Sequence, residues 1–240
     1  MQLNSLNAVS PIDGRYSEKT KIFRDFFSEQ ALINYRVLVE IEYFISLTKT
    51  EIPLLQDFPK KALKKIRDIF LKFSFKDAEI IKEIEKKTNH DVKAVEYFIR
   101  EQFEKDTVLK NYIHLIHFGL TSEDINSLSY AVMIKEGLSI YIDELNALKK
   151  DIKTKSKKWS SISFLARTHG QPASPSTLGK EMSVFSSRLD TQIKLLKNIK
   201  PLAKFSGATG NYHTFKILDQ KINWESFTSR FIKQFKVFQN

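Results

Sequence analysis

An uninterrupted apolar periodicity between residues 121 and 158 constrains the fold of this 240-residue chain more than any other feature. Apolar side chains recur there at helical spacing, at Ile125, Leu128, Val132, Leu138, Tyr141, Leu145, Leu148 and Ile152. At about 1.5 Å per residue the stretch predicts a helix of roughly 55 Å. A second amphipathic stretch runs from Pro175 to about Lys200. Long helices of this kind are typical of bundles, so we expect an all-α fold.

Shorter amphipathic segments fill the chain before the long helix. They lie between residues 18 and 105, with a break expected near Ser28 and a loop between Pro53 and Pro59. The segment before this loop carries a predicted buried stripe at Leu32, Tyr35, Val39, Glu42/Tyr43 and Leu47. Only seven glycines and six prolines occur in the whole sequence, which favours regular elements over many turns. We therefore expect a small N-terminal helical domain over residues 1–112, followed over 113–240 by the first part of a long-helix bundle.

The composition excludes several classes of site. Cysteine is absent, so disulfides and thiolate metal ligands are excluded, and a reducing compartment fits. The stretch Met1–Pro11 has neither a basic region nor an apolar core, so we expect no signal peptide. No run of about 18 apolar residues occurs, so we expect no membrane association and a cytoplasmic location.

A net charge of +11 raises the possibility of nucleic-acid binding. The lysines, however, alternate with glutamates along helix faces, and the densest run, Lys153–Lys158, contains no aromatic side chain for base stacking. We therefore expect no nucleic-acid partner.

His114 and His117 lie three residues apart, but no third ligand follows at a recognisable spacing, which favours packing or hydrogen-bonding roles over a metal site.

A polar turn containing His169 separates the two long helices. Gly170 permits a sharp turn, and Pro172 keeps the preceding residue out of helical conformation. Ser174 is a favourable N-cap with Pro175 at the first helical position. The start of this predicted helix would direct N–H groups at the turn, which suits an anionic ligand. A loop with a solvated histidine is the alternative.

Three more segments combine polar groups suited to an anionic ligand. Arg15 and Tyr16 follow a predicted turn, and a guanidinium can bind phosphate or carboxylate in a bidentate manner. The segment Asn89–Asp91 begins a helix predicted from about Asp91 to Lys105 with an amide, an imidazole and a carboxylate, and Asn89 or Thr88 is its expected cap. Thr121 or Ser122 is expected to cap the long helix. Taken singly, each segment is equally compatible with a surface or capping role.

Four segments taken together closely resemble the adenylosuccinate lyase family of the fumarase/aspartase superfamily. These are Ser10–Tyr16, Asn89–Ala94, Thr121–Asn126 and Arg167–Ala173, and the resemblance extends over the whole chain. It implies an all-α fold and cleavage of a C–N bond by β-elimination. The substrates implied are adenylosuccinate, which gives AMP, and the succinylamino imidazole carboxamide ribotide of purine synthesis, and both release fumarate.

The resemblance also implies roles for individual residues. His169 would be the catalytic acid that protonates the departing nitrogen. The substrate-binding residues would be Arg15, Tyr16, Asn89, His90, Asp91, Thr121, Ser122, Thr168 and Gln171. No cofactor and no metal are implied, because the elimination requires only an acid, a base and oriented hydrogen-bond donors.

The sequence departs from the family in one respect. Family members carry a mobile Ser-Ser-x-Met-Pro-x-Lys-x-Asn-Pro segment with the serine base, and no such segment occurs here. The chain thus resembles the N-terminal half of a family member, which would be a homotetramer, and we expect it to be inactive alone. Two alternatives remain: a sibling argininosuccinate lyase, and a catalytically silent helical scaffold or nucleic-acid-binding fragment.

Overall fold

A computed structural model of the chain describes residues 8–240. They form two compact units, the first made of the residues up to 135 together with 201–240, and the second of residues 136–200. We expect that Met1–Pro11 is not a signal peptide, and residues 1–7 of this stretch lie outside the described part of the chain. The division of the chain into a helical domain over 1–112 and the first part of a bundle over 113–240 stays a prediction.

Helices dominate the described chain, and the predicted all-α class is confirmed. In chain order the elements are α1 (Ser17–Thr20), α2 (Arg24–Phe27), α3 (Glu29–Leu47), α4 (Leu63–Leu71), α5 (Phe75–Thr88), α6 (Asp91–Glu104), α7 (Ser122–Lys158), β1 (Ser163–Thr168), β2 (Gln171–Thr177), α8 (Leu178–Lys197), β3 (Leu202–Ala203), α9 (His213–Leu218), α10 (Trp224–Gln234) and β4 (Phe238–Gln239). Short 3₁₀ turns occupy Lys21–Phe23, Pro53–Leu55, Lys60–Ala62 and Leu109–Leu115. Within residues 8–240, no helix has the length and apolar character that crossing a membrane requires.

The first unit is built around α3, which is buried on most of its surface. The predicted apolar stripe of this helix is buried throughout, at Leu32, Tyr35, Val39, Tyr43 and Leu47. The apolar face of α6 and the first turns of α7 complete the core with Val92, Val95, Phe98, Ile99, Phe103, Ile125, Leu128 and Val132. Burying each such side chain contributes roughly 1.5–3 kcal/mol, so this packing fixes the positions of the α6 and α7 N-termini.

Helix starts in the first unit follow capping chemistry, although two of the expected caps are wrong. The predicted break near Ser28 is confirmed, because its Oγ accepts the N–H of Ala31 at 3.1 Å and caps α3. Asn89 or Thr88 was the expected cap of α6, and that prediction is wrong. Asn89 has a left-handed backbone (φ 52°) that ends α5, so the capping position falls on His90.

The start of the first helix also differs from expectation. The sequence favours Ser17 as a cap with the helix beginning at Glu18, whereas α1 begins at Ser17 itself and Tyr16 precedes it without a side-chain capping bond. The predicted turn before it is present, since the N–H of Gly14 bonds to the carbonyl of Ser10 at 2.9 Å. This turn places Arg15 and Tyr16 at the helix entry.

The second unit contains a β-hairpin that the sequence analysis did not anticipate. Strands β1 and β2 are antiparallel and lie between the end of α7 and the start of α8. The predicted helix start at Pro175 with a Ser174 cap is therefore wrong. Pro175 pairs with Leu165 across the hairpin, and Thr177 caps α8 by accepting the N–H of Lys180 at 3.2 Å. Prolines are tolerated here because a two-stranded hairpin consists of edge strands.

Close backbone packing at Gly179 joins α8 to the end of α7 within the second unit. The N–H of Gly179 donates to the carbonyl of Trp159 at 2.9 Å, and the Ser156 hydroxyl donates to the carbonyl of Gly179 at 2.6 Å. A Cβ at this position would lie 2.3 Å from the Ser156 carbonyl oxygen. Only glycine fits this approach, which fixes where the hairpin begins and ends.

Candidate functional site

Two of the predicted segments meet at the N-termini of α6 and α7, within the first unit. His90 Nε2 lies 3.4 Å from Ser122 Oγ. The other ring nitrogen, Nδ1, accepts the backbone N–H of Lys93 at 3.2 Å as the cap of α6. Because Nδ1 accepts, the neutral ring carries its proton on Nε2. His90 therefore presents an N–H donor beside the Ser122 hydroxyl.

Asp91 is engaged by neighbouring groups on both carboxylate oxygens. Its Oδ1 accepts the N–H of Val92 at 2.8 Å, and its Oδ2 accepts Nη2 of Arg36 at 2.6 Å. Burial raises the pKa of Asp91, but the Val92 N–H and the Arg36 guanidinium outweigh it, so that the pKa lies below its ordinary value. The carboxylate is thus ionised at neutral pH.

Arg36 is a buried residue of this cluster that the sequence analysis missed. The residue lies near the middle of α3 and is 3% exposed. Besides Asp91, it donates from Nε to Oδ1 of Asn126 at 2.9 Å. The available signal was a single arginine inside the apolar stretch Ala31–Leu47. Such a charge is rarely buried unless it is paired.

A polar cleft of about 570 Å³ opens beside the cluster in the first unit. Its lining consists of Lys82, Glu85, Lys86, Asn89, His90 and Asp91. Lys82 is held between carboxylates at 3.1 Å from Glu29 and 2.7 Å from Glu85. The cleft therefore offers an amide and an imidazole N–H to a polar ligand, whereas both of its lysines are already paired with carboxylates.

Asp124 ties the start of α7 to a distant loop of the first unit. The residue is fully buried; its Oδ2 accepts the N–H groups of Thr121 at 3.0 Å and Gly207 at 3.1 Å. Its Oδ1 accepts Lys204 Nζ at 2.8 Å and the N–H of Ser206 at 2.9 Å. These bonds fix the Thr121 backbone. The glycine-bearing loop over residues 205–213 lacks the lysine and the spacing of a phosphate-binding loop. Here the N–H groups of Ser206 and Gly207 bind a carboxylate of the same chain.

Arg15 and Tyr16 form an exposed pair at the entry to α1. The Arg15 guanidinium lies 5.5 Å from the centre of the Tyr16 ring, and Lys19 Nζ lies 5.9 Å from it. Such cation–π contacts orient side chains without using their hydrogen-bond donors. Among the described residues, no hydrogen bond or ion pair joins this pair to the His90 cluster.

His169 lies at the tip of the hairpin in the second unit. Thr168 and Gln171 pair across the turn, and the two residues between them, His169 and Gly170, both have positive φ, 51° and 77°. Two such residues define a type I′ turn, the connection whose twist matches a hairpin. The Arg167 guanidinium donates to the carbonyl of Gly170 at 3.2 Å. The turn thus groups Thr168, His169 and Gln171 on an exposed tip.

His117 has the hydrogen-bonding role that the sequence favoured. Its Nδ1 lies 2.5 Å from Glu40 Oε1, with both side chains largely buried. Burial lowers the pKa of His117, but the charge of Glu40 and the hydrogen bond to it outweigh burial, so that the pKa lies above its ordinary value. Across residues 8–240, no group of three or more histidine or carboxylate side chains is arranged to hold a metal ion.

Comparison with protein families identifies the class. A family model described as "Lyase" matches residues 14–239, so the chain belongs to this lyase family. Within the family, the curated relatives that match include adenylosuccinate lyases. Those of Dictyostelium discoideum and Legionella pneumophila (strain Corby) are 46% and 43% identical, each match covering 97% of this chain and 51% of the relative. The predicted family resemblance is confirmed. The chain spans about half the length of the curated relatives it matches.

Solved structures with low sequence identity share the fold. The β-carboxy-cis,cis-muconate cycloisomerase of Acinetobacter calcoaceticus sp. ADP1 superimposes with a TM-score of 0.74 at 18% identity, over 92% of this chain and 49% of that chain. A fumarate lyase from Mesorhizobium sp. BNC1 gives 0.72 at 20% identity, over 91% and 48%. These likenesses establish the helical lyase fold.

Proposed function

We propose that the protein containing this chain cleaves a C–N bond by β-elimination and releases fumarate from adenylosuccinate and from the succinylamino imidazole carboxamide ribotide. The observation that carries the proposal is the 3.4 Å approach of His90 Nε2 to Ser122 Oγ. It joins two of the segments on which the family resemblance rests, although they are separated by 32 residues in sequence. The identity of 38–46% to curated adenylosuccinate lyases supports this choice of substrate over argininosuccinate.

The chemistry requires one proton to leave carbon and another to reach nitrogen. A base removes the proton from the carbon beside a carboxylate, a C=C bond forms, and the C–N bonding electrons leave with the nitrogen. His169 is proposed as the acid that protonates this nitrogen, since an imidazole changes charge near neutral pH. Its place on an exposed two-residue turn supports this role, because the ring can reach a substrate bound to another surface.

The remaining predicted residues are proposed to bind the substrate. The hydroxyls of Thr121 and Ser122, at the N-terminus of α7, suit the succinyl carboxylates because the free N–H groups of a helix start attract anions. Arg15 and Tyr16 are proposed to hold the phosphate, with Asn89, His90 and Asp91 around the ribose phosphate. Thr168 and Gln171 are proposed to assist beside His169.

We further propose that the base comes from a serine outside these 240 residues. The segment that carries it in the family does not occur in this sequence. A homotetramer that combines segments from different subunits, a cytoplasmic location, and the absence of nucleic-acid partners and cofactors belong to the same proposal. The chain alone is therefore expected to be inactive.

The test is a His169→Ala variant of the complete enzyme, in which this chain is combined with the residues that supply the base. General acid catalysis contributes typically 10²–10⁴-fold, so kcat should fall by about that factor while KM changes little. His114→Ala, which removes another exposed histidine, is the control and should retain activity. Substrate cleavage is followed by the absorbance of adenylosuccinate. Near-normal kcat in His169→Ala would exclude the acid role, and a complete enzyme without turnover would favour the silent scaffold.

A further inference from the structure

We propose that Arg36 is a positioning residue that holds His90 beside Ser122 by joining the first turns of α6 and α7. Its catalytic consequence rests on the proposed lyase function, whereas its geometric consequence does not. Arg36 lies outside all four sequence segments that carry the family resemblance.

The burial of Arg36 shows that its charge is committed to internal contacts. An arginine that is 3% exposed has lost most of its hydration, and a buried charge is tolerated only when it is paired and hydrogen-bonded. Here Nη2 donates to Asp91 Oδ2 at 2.6 Å and Nε donates to Asn126 Oδ1 at 2.9 Å. The guanidinium thus binds two acceptors on two different helices from a third helix, α3.

The two acceptors stand directly beside the residues that they would position. Asp91 follows His90 in the chain, at the first residue of α6. Asn126 lies four residues after Ser122 on α7, and residues at this spacing share a helix face. By fixing Asp91 and Asn126 to one rigid planar group, Arg36 fixes the separation of His90 from Ser122. A lysine could reach one acceptor but not match this fork.

The same contacts specify the role of Asp91. One carboxylate oxygen binds the Val92 N–H and the other binds Arg36. Its principal contribution is therefore to anchor the start of α6, and contact with the ribose phosphate is secondary. Arg36 acts together with Asp91 and Asn126, and these contacts place the His90 Nε2–H donor.

A geometric experiment tests the placement without any activity. In the full 240-residue chain, ring protons of His90 should give nuclear Overhauser cross-peaks to the β protons of Ser122, assigned with a His90→Gln variant. Arg36→Met should abolish these cross-peaks while circular dichroism still reports helix. Arg67→Met is the matched control: it removes another arginine of the first unit, bidentate to Glu42 at 2.8 and 3.1 Å, and should retain the cross-peaks.

Milder variants keep the test decisive if Arg36→Met does not fold. Asn126→Ala removes only one acceptor, at a partly exposed position, and should weaken the same cross-peaks. Arg36→Lys should restore part of the intensity through Asp91. Retained cross-peaks in folded Arg36→Met, or in Asn126→Ala if the former is unfolded, would overturn the positioning role.

The catalytic consequence is measured in the complete enzyme. Arg36→Met should lower kcat/KM for adenylosuccinate at least tenfold, Arg36→Lys should recover part of it, and Arg67→Met should leave it unchanged. If Arg36→Met loses the cross-peaks but keeps full activity, Arg36 does position His90, and this positioning is not important for catalysis. A wild-type enzyme without turnover would reject the proposed function and leave the geometric result to decide the placement.

Discussion

His117 Nδ1 lies 2.5 Å from Oε1 of Glu40, and these side chains are 16% and 2% exposed. The pair connects the segment before α7 to the middle of α3, at the base of the region that carries Thr121 and Ser122. Burial alone would keep this imidazole neutral. The carboxylate at hydrogen-bond distance reverses that preference, and the stability of the first unit should therefore depend on pH.

Glu40→Gln should remove this pH dependence. Because the pKa of His117 is raised in the folded chain, the stabilisation by the pair is complete below the pH at which a free imidazole titrates, and it is lost as the pH rises through the raised value. Glu96 also raises this pKa, and Lys93 opposes it. The wild-type advantage in Tm over Glu40→Gln should be larger near pH 6 than near pH 9, as measured by circular dichroism.

The control for this experiment is a carboxylate on the same helix. Glu42 is paired with Arg67, and this pair contains no imidazole. The Tm difference between wild type and Glu42→Gln should therefore stay constant over this interval. If the Glu40→Gln difference is equally constant, Glu40 does not raise the pKa of His117.

Gly179→Ala should be more destabilising than Gly170→Ala. A Cβ at Gly179 would lie 2.3 Å from the Ser156 carbonyl oxygen and 2.6 Å from Ser160 Cα, and backbone atoms cannot move aside cheaply. Overpacking of this kind costs roughly 1–3 kcal/mol or more. A Cβ added at Gly170 would meet no atom within 4 Å apart from the adjoining residues, so only the positive φ opposes a side chain, at a cost of about 1–2 kcal/mol. Thermal unfolding of both variants tests the order, and equal losses would contradict it.

Arg15→Ala should weaken substrate binding in the complete enzyme with little effect on kcat. A phosphate held equally in the ground and transition states contributes uniform binding, so its loss raises KM. A lost charge-assisted bond corresponds to a rise of about tenfold to a hundredfold. Lys19→Ala, which removes the other cation over the Tyr16 ring, is the control. An unchanged KM for adenylosuccinate in Arg15→Ala would reject the phosphate role.

The isolated 240-residue chain should self-associate through apolar side chains of its second unit. Several large ones are exposed there, including Tyr141, Leu148, Phe185, Leu195 and Ile199. We expect them to act as an association surface, because large exposed apolar patches mark interaction sites. Sedimentation velocity should show concentration-dependent association, which Phe185→Lys with Leu195→Lys should reduce. Leu71→Lys, at an exposed residue of the first unit, should not reduce it. A monodisperse wild-type monomer would contradict this prediction.

The sequence predicted the helices well because their apolar spacing is set by burial. The long helix expected from 121 to 158 is observed as Ser122–Lys158, and the one expected from 91 to 105 as Asp91–Glu104. The hairpin was missed because Pro172 and Pro175 argue against a strand in local terms. A better signal was His169-Gly170, since a turn that needs two positive φ values favours glycine at its second position.

The candidate site was only partly predictable for a different reason. Motifs identify side chains that are suited to a ligand, and these supplied His90, Ser122 and His169. Arg36 and Lys204 belong to no motif, and their roles depend on contacts with Asp91 and Asp124 across 55 and 80 residues of sequence. Such long-range pairing is decided by helix packing, which the apolar pattern of one sequence does not specify.

The prolines of β2 have a consequence for solubility. An exposed hairpin bearing Phe164 and Leu165, 40% and 50% exposed, offers a free edge to which a strand of another molecule could add. Pro172 and Pro175 have no N–H to donate, so β2 is a poor template for such addition. The prolines that argue against a strand in the sequence thereby weaken the β2 edge as a site for intermolecular strand addition, whereas β1 contains no proline.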